Sequence, residues 1–64
     1  MRYRVKELRT KAGLTQEELA KQAGVSRPVI SKMETNDSAI VSLRTLSRIA
    51  NALDVTIGEL YCAI

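Results

Sequence analysis

Sixty-four residues make one small domain with one core, because a chain this short buries only roughly 60% of its unfolded surface. One cysteine excludes an intramolecular disulfide and any multi-cysteine zinc site, and the lack of histidine weakens the metal case further. Ten Lys/Arg against seven Asp/Glu give a net charge of +3, compatible with nucleic acid but not enough to name it as the partner.

Four segments share one grammar: LTQEEL (14–19), VSRPVI (25–30), VSLRTL (41–46) and VTIGEL (55–60). Each reads apolar, Ser or Thr, three residues, apolar. That is a hydrophobic staple closed around an N-cap, whose hydroxyl accepts an otherwise unpaired backbone N–H. Thr15/Glu18 and Thr56/Glu59 add the reciprocal glutamate of a capping box. These four starts and an uncapped basic helix before them predict five short helices. Alternating β-branched and aromatic runs are missing, so the expected class is all-α.

In chain order, the first helix is expected from about Arg2 to Ala12, with Val5, Leu8 and Ala12 on one stripe. Arg2, Arg4, Lys6, Arg9 and Lys11 lie in it with only Glu7 opposing them, a run that also fits a solvated helix face. Gly13 supplies the positive φ that ends it. The second helix covers about Gln16 to Ala23, with Leu19, Ala20 and Ala23 inward, and Gly24 closes it. The third runs to about Glu34, with Ile30 and Met33 inward and Val29 on the flank. Pro28 is tolerated in a first turn because its missing N–H has no intrahelical partner there. Pro28, Ser31 and Lys32 then point outward, with Arg27 at the leading edge.

Beyond it, TNDSAIVS is a loop whose Ile40 and Val41 are expected to pack on the core. The fourth helix spans about Leu43 to Leu53 and buries Leu46, Ile49, Ala50 and Leu53. The fifth starts after Thr56 and places Ile57, Leu60, Tyr61 and Ile64 on one face. No more than a few residues around Gly24 join the second and third helices, so these must cross steeply, as in a helix-turn-helix.

TQEELAKQAGVSRPVISKME, from Thr15 to Glu34, resembles the Cro/phage-repressor (XRE-type) helix-turn-helix family. The likeness extends over nearly the whole chain, through RxxxGLTQEELA, SRxxISKxE and LSRIANALDV. It implies a five-helix, lambda-repressor-like DNA-binding domain spanning residues 1–64. Gln16 then matches the glutamine that meets the DNA backbone, while Arg27, Pro28, Ser31 and Lys32 match positions facing base edges in the major groove. Arg9 and Glu34 match a structural ion pair. Ser26, Asn36 and Ser38 are further candidates for backbone phosphate, and Arg44 a weaker one. The family often carries Glu-Asn-Gly and a proline after the third helix; here Asn36 stands at the glycine position, where its tolerance of left-handed backbone is expected to preserve the turn.

The function implied is a sequence-specific regulator of transcription, a repressor, bound to double-stranded DNA as a homodimer. Ile57, Leu60, Tyr61 and Ile64 are the expected dimer interface, with a near-palindromic operator as its consequence. The alternative is a protein-interaction module of the same fold, such as an antitoxin-like protein. No nucleophile–base pair suggests an enzyme, and only Tyr3 and Tyr61, at opposite ends of the chain, can stack RNA bases. No cofactor and no small-molecule ligand is implied. The charged start, without an apolar run, implies neither signal peptide nor membrane span, and a cytoplasmic location. There, Cys62 is expected to behave as a small hydrophobe.

Overall fold

The computed structural model of the chain describes residues 2–36 and 40–62. Its elements in order are β1 (Arg2–Tyr3), α1 (Val5–Lys11), α2 (Gln16–Ala23), α3 (Arg27–Thr35), α4 (Leu43–Leu53), α5 (Ile57–Leu60) and β2 (Tyr61–Cys62). The five helices make the all-α architecture the sequence implies.

Three of the four hydroxyls act as caps. Thr15, Ser42 and Thr56 accept from the N–H groups of Glu18, Thr45 and Glu59 at 3.0, 3.1 and 3.1 Å. Among the described residues only Thr15 and Glu18 complete the reciprocal box, with the Thr15 N–H donating to the Glu18 carboxylate at 2.9 Å. The staples close at all four starts: Leu14, Val25, Val41 and Val55 lean on the core, and Leu19, Ile30, Leu46 and Leu60, five residues on, lie within it. Helix ends use left-handed backbone at Gly24 (φ 69°, ψ 33°) and, without glycine, at Asp54 (φ 57°, ψ 43°).

All five helices contribute to one buried cluster, in which α2 lies between α3 and α4. Ala20 and Ala23 let α2 approach both neighbours closely, while Leu19, Ile30, Met33 and Ile49 supply the bulk.

Several expectations are corrected. The first helix begins at Val5, because Arg2–Tyr3 pair antiparallel with Tyr61–Cys62 in the register Arg2↔Cys62, Tyr3↔Tyr61. The Arg4 N–H continues this clasp by donating to the Leu60 carbonyl at 2.8 Å. The two tyrosines, distant in sequence, pack with ring centroids 5.2 Å apart and planes at 45°. Ala12 caps α1 from an exposed position rather than joining its buried stripe.

At the other end, α5 stops at Leu60 and Tyr61 is extended (φ −118°), so Tyr61 does not share a helical face with Ile57 and Leu60. Leu60 is fully buried within a single chain, which removes it from the expected dimer interface. Ile57 and Tyr61 are half-buried; Ile64 lies outside the described residues, as does Ser38. Asn36 is extended (φ −135°, ψ 102°), so the end of α3 needs no positive φ at this position. Ile40 is 94% exposed. Val41, not Ile40, takes the inward position as the staple of α4.

Candidate nucleic-acid interface

The α2–turn–α3 unit is set locally. The Val25 N–H reaches back to the Ala20 carbonyl at 3.0 Å, and left-handed Gly24 turns the chain so that α3 starts three residues later, at Arg27. A Cβ at Gly24 would meet nothing within 4 Å, so the backbone conformation, not space, calls for glycine there.

Ser26 caps α3 in extended conformation but makes no side-chain cap bond. A capping hydroxyl accepts from the second or third helical N–H; Pro28, at the second position, has none, and the Val29 N–H, at the third, donates to the Ser26 carbonyl at 3.2 Å. The exposed Ser26 hydroxyl therefore has no partner among the described residues.

Ile30 and Met33 are fully buried and anchor α3, while Val29 packs at the edge of the core. Arg27, Pro28 and Lys32 are exposed and Ser31 is half-buried, so the outward row is present as expected. Thr35 extends that row. It was missed because the helix was expected to end near Glu34, although the 3–4 spacing from Pro28 through Ser31 and Lys32 continues to it. Asn36, exposed, follows at the helix end.

Behind this face sits a polar network joining three helices. Arg9 Nε donates to Glu34 Oε2 at 2.7 Å and Arg9 Nη2 to Glu34 Oε1 at 3.1 Å. Arg9 Nη1 donates to the Leu14 carbonyl at 2.7 Å, and Gln16 Nε2 donates to Glu34 Oε1 at 3.0 Å. The Glu34 side chain is 3% exposed and that of Arg9 14%. Burial pushes the Glu34 carboxyl upward, but the hydrogen bonds from Arg9 and Gln16, with the charges of Arg9 and Lys6, outweigh it and hold the group below its ordinary value. The same bonds offset the cost of a carboxylate near the negative end of the α3 dipole. Gln16 is thus tied by its amide to the last turn of α3, with its second amide hydrogen and carbonyl uncommitted.

The basic run of the first helix divides. Arg4 pairs with Glu7 at 2.8 Å and donates to the Glu59 carbonyl at 3.4 Å, and Arg9 is spent on Glu34. Lys6 and Lys11 remain as exposed cations. Nearer α3, Arg9, Gln16, Glu17 and Arg27 line an open hollow between the end of α1 and the start of α2. Arg44 is exposed on α4. No helix among the described residues is long and apolar enough to cross a membrane.

Two packed helices joined by a short turn at Gly24, the second buried by Ile30 and Met33 and presenting Arg27, Pro28 and Lys32, make a helix-turn-helix, and a helix-turn-helix family profile matches residues 5–60. The chain belongs to the helix-turn-helix family. Two uncharacterised HTH-type transcriptional regulators of Archaeoglobus fulgidus are 43% and 39% identical over 61 residues, covering 95% of this chain and 86% and 84% of theirs. Among solved structures, the N-terminal DNA-binding domain of the biofilm regulator SinR from Bacillus subtilis superposes with a TM-score of 0.83 at 32% identity, over 94% of this chain and 87% of that one. The restriction–modification controller protein C.AhdI from Aeromonas hydrophila gives 0.81 at 40% identity, over 91% and 86%. SinR in complex with DNA gives 0.79 at 33%, over 84% and 86%. This helix-turn-helix chain spans 53% of the chain it matches in the SinR/SinI complex.

Proposed function

We propose that this chain is a sequence-specific transcriptional regulator, a repressor, which places α3 in the major groove of double-stranded DNA. The observation that carries the reading is the outward row Arg27, Pro28, Ser31 and Lys32 on a helix whose other face is anchored by Ile30 and Met33 and whose end is fixed by Glu34. Arg27 suits the bidentate contact to guanine O6 and N7, and Lys32 a purine acceptor or a phosphate. Each good contact of that kind is worth about 1–3 kcal/mol of discrimination. Gln16, with one amide hydrogen on Glu34, offers the second to a phosphate at the α2 N-terminus, where the helix dipole favours an anion. The unengaged Ser26 hydroxyl is a second donor to the backbone, and Asn36 and Ser38 are proposed as others. Two structural neighbours support the reading: SinR, a regulator seen in complex with DNA, and C.AhdI, a restriction–modification controller protein. A cytoplasmic homodimer on a near-palindrome completes the proposal; of its expected interface, Ile57 and Tyr61 have surface to offer.

The test is selection from a randomised duplex pool at about 150 mM salt, a concentration at which non-specific phosphate binding is weak. An enriched near-palindrome, lost with Arg27→Ala and weakened with Gln16→Ala, supports the regulator. Binding without enrichment that vanishes as salt rises refutes it. The exposed Ile40 and Leu43 (94% and 70%) favour the second reading, a protein-interaction module, in that event.

A further inference from the structure

We infer that Thr35, at the far end of α3, is a specificity-determining residue that reads a thymine through its methyl group. This rests on the major-groove placement of α3 proposed above.

Three observations point there. The first is direction. α3 is helical to Thr35, seven residues beyond Pro28. At 3.6 residues per turn that separation brings Thr35 to within about 20° of Pro28, between Ser31 and Lys32 on the helix circumference. Thr35 therefore stands near the middle of the outward face, and it is exposed. The second is reach. Pro28 and Thr35 lie about 10.5 Å apart along the axis, a span that fits the major groove, which is about 12 Å wide.

The third observation selects the chemistry. The Thr35 hydroxyl donates its only proton to the Ser31 carbonyl of the preceding turn, at 2.9 Å. A hydroxyl so engaged has only lone pairs left to offer, and a phosphate oxygen is itself purely an acceptor. The phosphate contact open to Ser26 is thus closed to Thr35 while that bond to the Ser31 carbonyl holds. The methyl group is the part of the side chain left to meet the DNA, and the C5-methyl of thymine is the apolar feature of the groove. Thr35 and Pro28 then supply apolar contacts at either end of the face, with Ser31 and Lys32 between them.

The experiment compares the full chain with Thr35→Ser, which keeps the hydroxyl and loses the methyl, and Thr35→Val, which does the reverse. Both variants are first shown to unfold within the wild-type range of urea. Operators are selected from the randomised pool, and each thymine of the result is then replaced by deoxyuridine, which lacks only the methyl. The expected result is that Thr35→Val keeps the wild-type operator, while Thr35→Ser loses preference at one base pair per half-site. The loss is about fourfold in affinity, the worth of one buried methyl. Deoxyuridine at that base pair costs the wild type the same factor and costs Thr35→Ser nothing more. Uniform weakening of all sequences by Thr35→Val would make the hydroxyl a backbone ligand and overturn the inference, as would unchanged preferences in both variants. If the wild type enriches no operator at all, the major-groove placement falls and this inference falls with it; an operator read by Arg27 but indifferent to Thr35 overturns the inference alone.

Discussion

Arg9→Met removes a cation from a carboxylate whose side chain is 3% exposed and leaves Gln16 as its remaining hydrogen-bond partner. It also strips the Leu14 carbonyl of a 2.7 Å donor, while the methionine stem keeps most of the arginine's apolar packing. Breaking a buried pair on one side costs about 3–5 kcal/mol, because the charge left behind is uncompensated. With Arg9 itself 14% exposed, water can reach part of the site, which places the cost near the lower end of that range. A chain of 64 residues is stable by about 3–10 kcal/mol, so this one substitution removes a third or more of the total. The assay is urea unfolding at pH 7 followed by far-ultraviolet circular dichroism. At a slope of roughly 1 kcal/mol per M, the low end for a small domain, the midpoint falls by about 3 M. Arg9→Met/Glu34→Leu, which removes both charges, recovers most of the loss, since a buried ion pair replaced whole by apolar groups is often neutral. A loss below about 1 kcal/mol for Arg9→Met, or a double variant as unstable as the summed singles, would refute the view that Glu34 is a buried charge dependent on Arg9.

Further outcomes follow from the same geometry. Glu34 is held below its ordinary value in the folded chain, so its contribution is fully present above the unfolded carboxylate pKa of about 4.3 and is lost as pH falls through the folded value. Urea midpoints taken from pH 7 to 3 should drop in that acid window for the wild type, and by less for Glu34→Gln. Gly24→Ala meets no steric obstacle but forces a side chain into left-handed backbone, at a cost of about 1–2 kcal/mol read as a lower midpoint with unchanged slope. Thr15→Ala loses a working cap and about 1 kcal/mol, whereas Ser26→Ala leaves stability within about 0.5 kcal/mol because its hydroxyl caps nothing. Equal losses for the two variants would contradict the reading of Ser26 as a cap whose hydroxyl is unused.

What could be read from the sequence was governed by bonds that span three or four residues. The ranges of α2 and α4 and the staples follow from Ser/Thr hydroxyls, glycine and apolar spacing, all of which act within one turn of helix. The face of α3 was legible for the same reason: the burial of Ile30 and Met33 dictates where Pro28 and Lys32 must point. The Arg9–Glu34 pair came through family likeness alone, since nothing local ties residues 25 positions apart.

Tertiary structure decided the rest, where a residue's state depends on a distant partner. Arg2–Tyr3 carry no local reason to be a strand; they become one because α5 ends at Leu60 and delivers Tyr61–Cys62 beside them. Leu60 and Tyr61 look equivalent in an extended helical pattern, yet one is sealed in the core and the other packs against Tyr3. Five like charges at the chain start read as a basic patch until the fold assigns Arg4 to Glu7 and Arg9 to Glu34. The sequence by itself determined α2, α4 and the body of α3, and which side of each is apolar, because capping and periodicity are short-range. Which polar groups are consumed inside and which are left facing out was settled only by packing, because that depends on contacts the chain makes with itself across tens of residues.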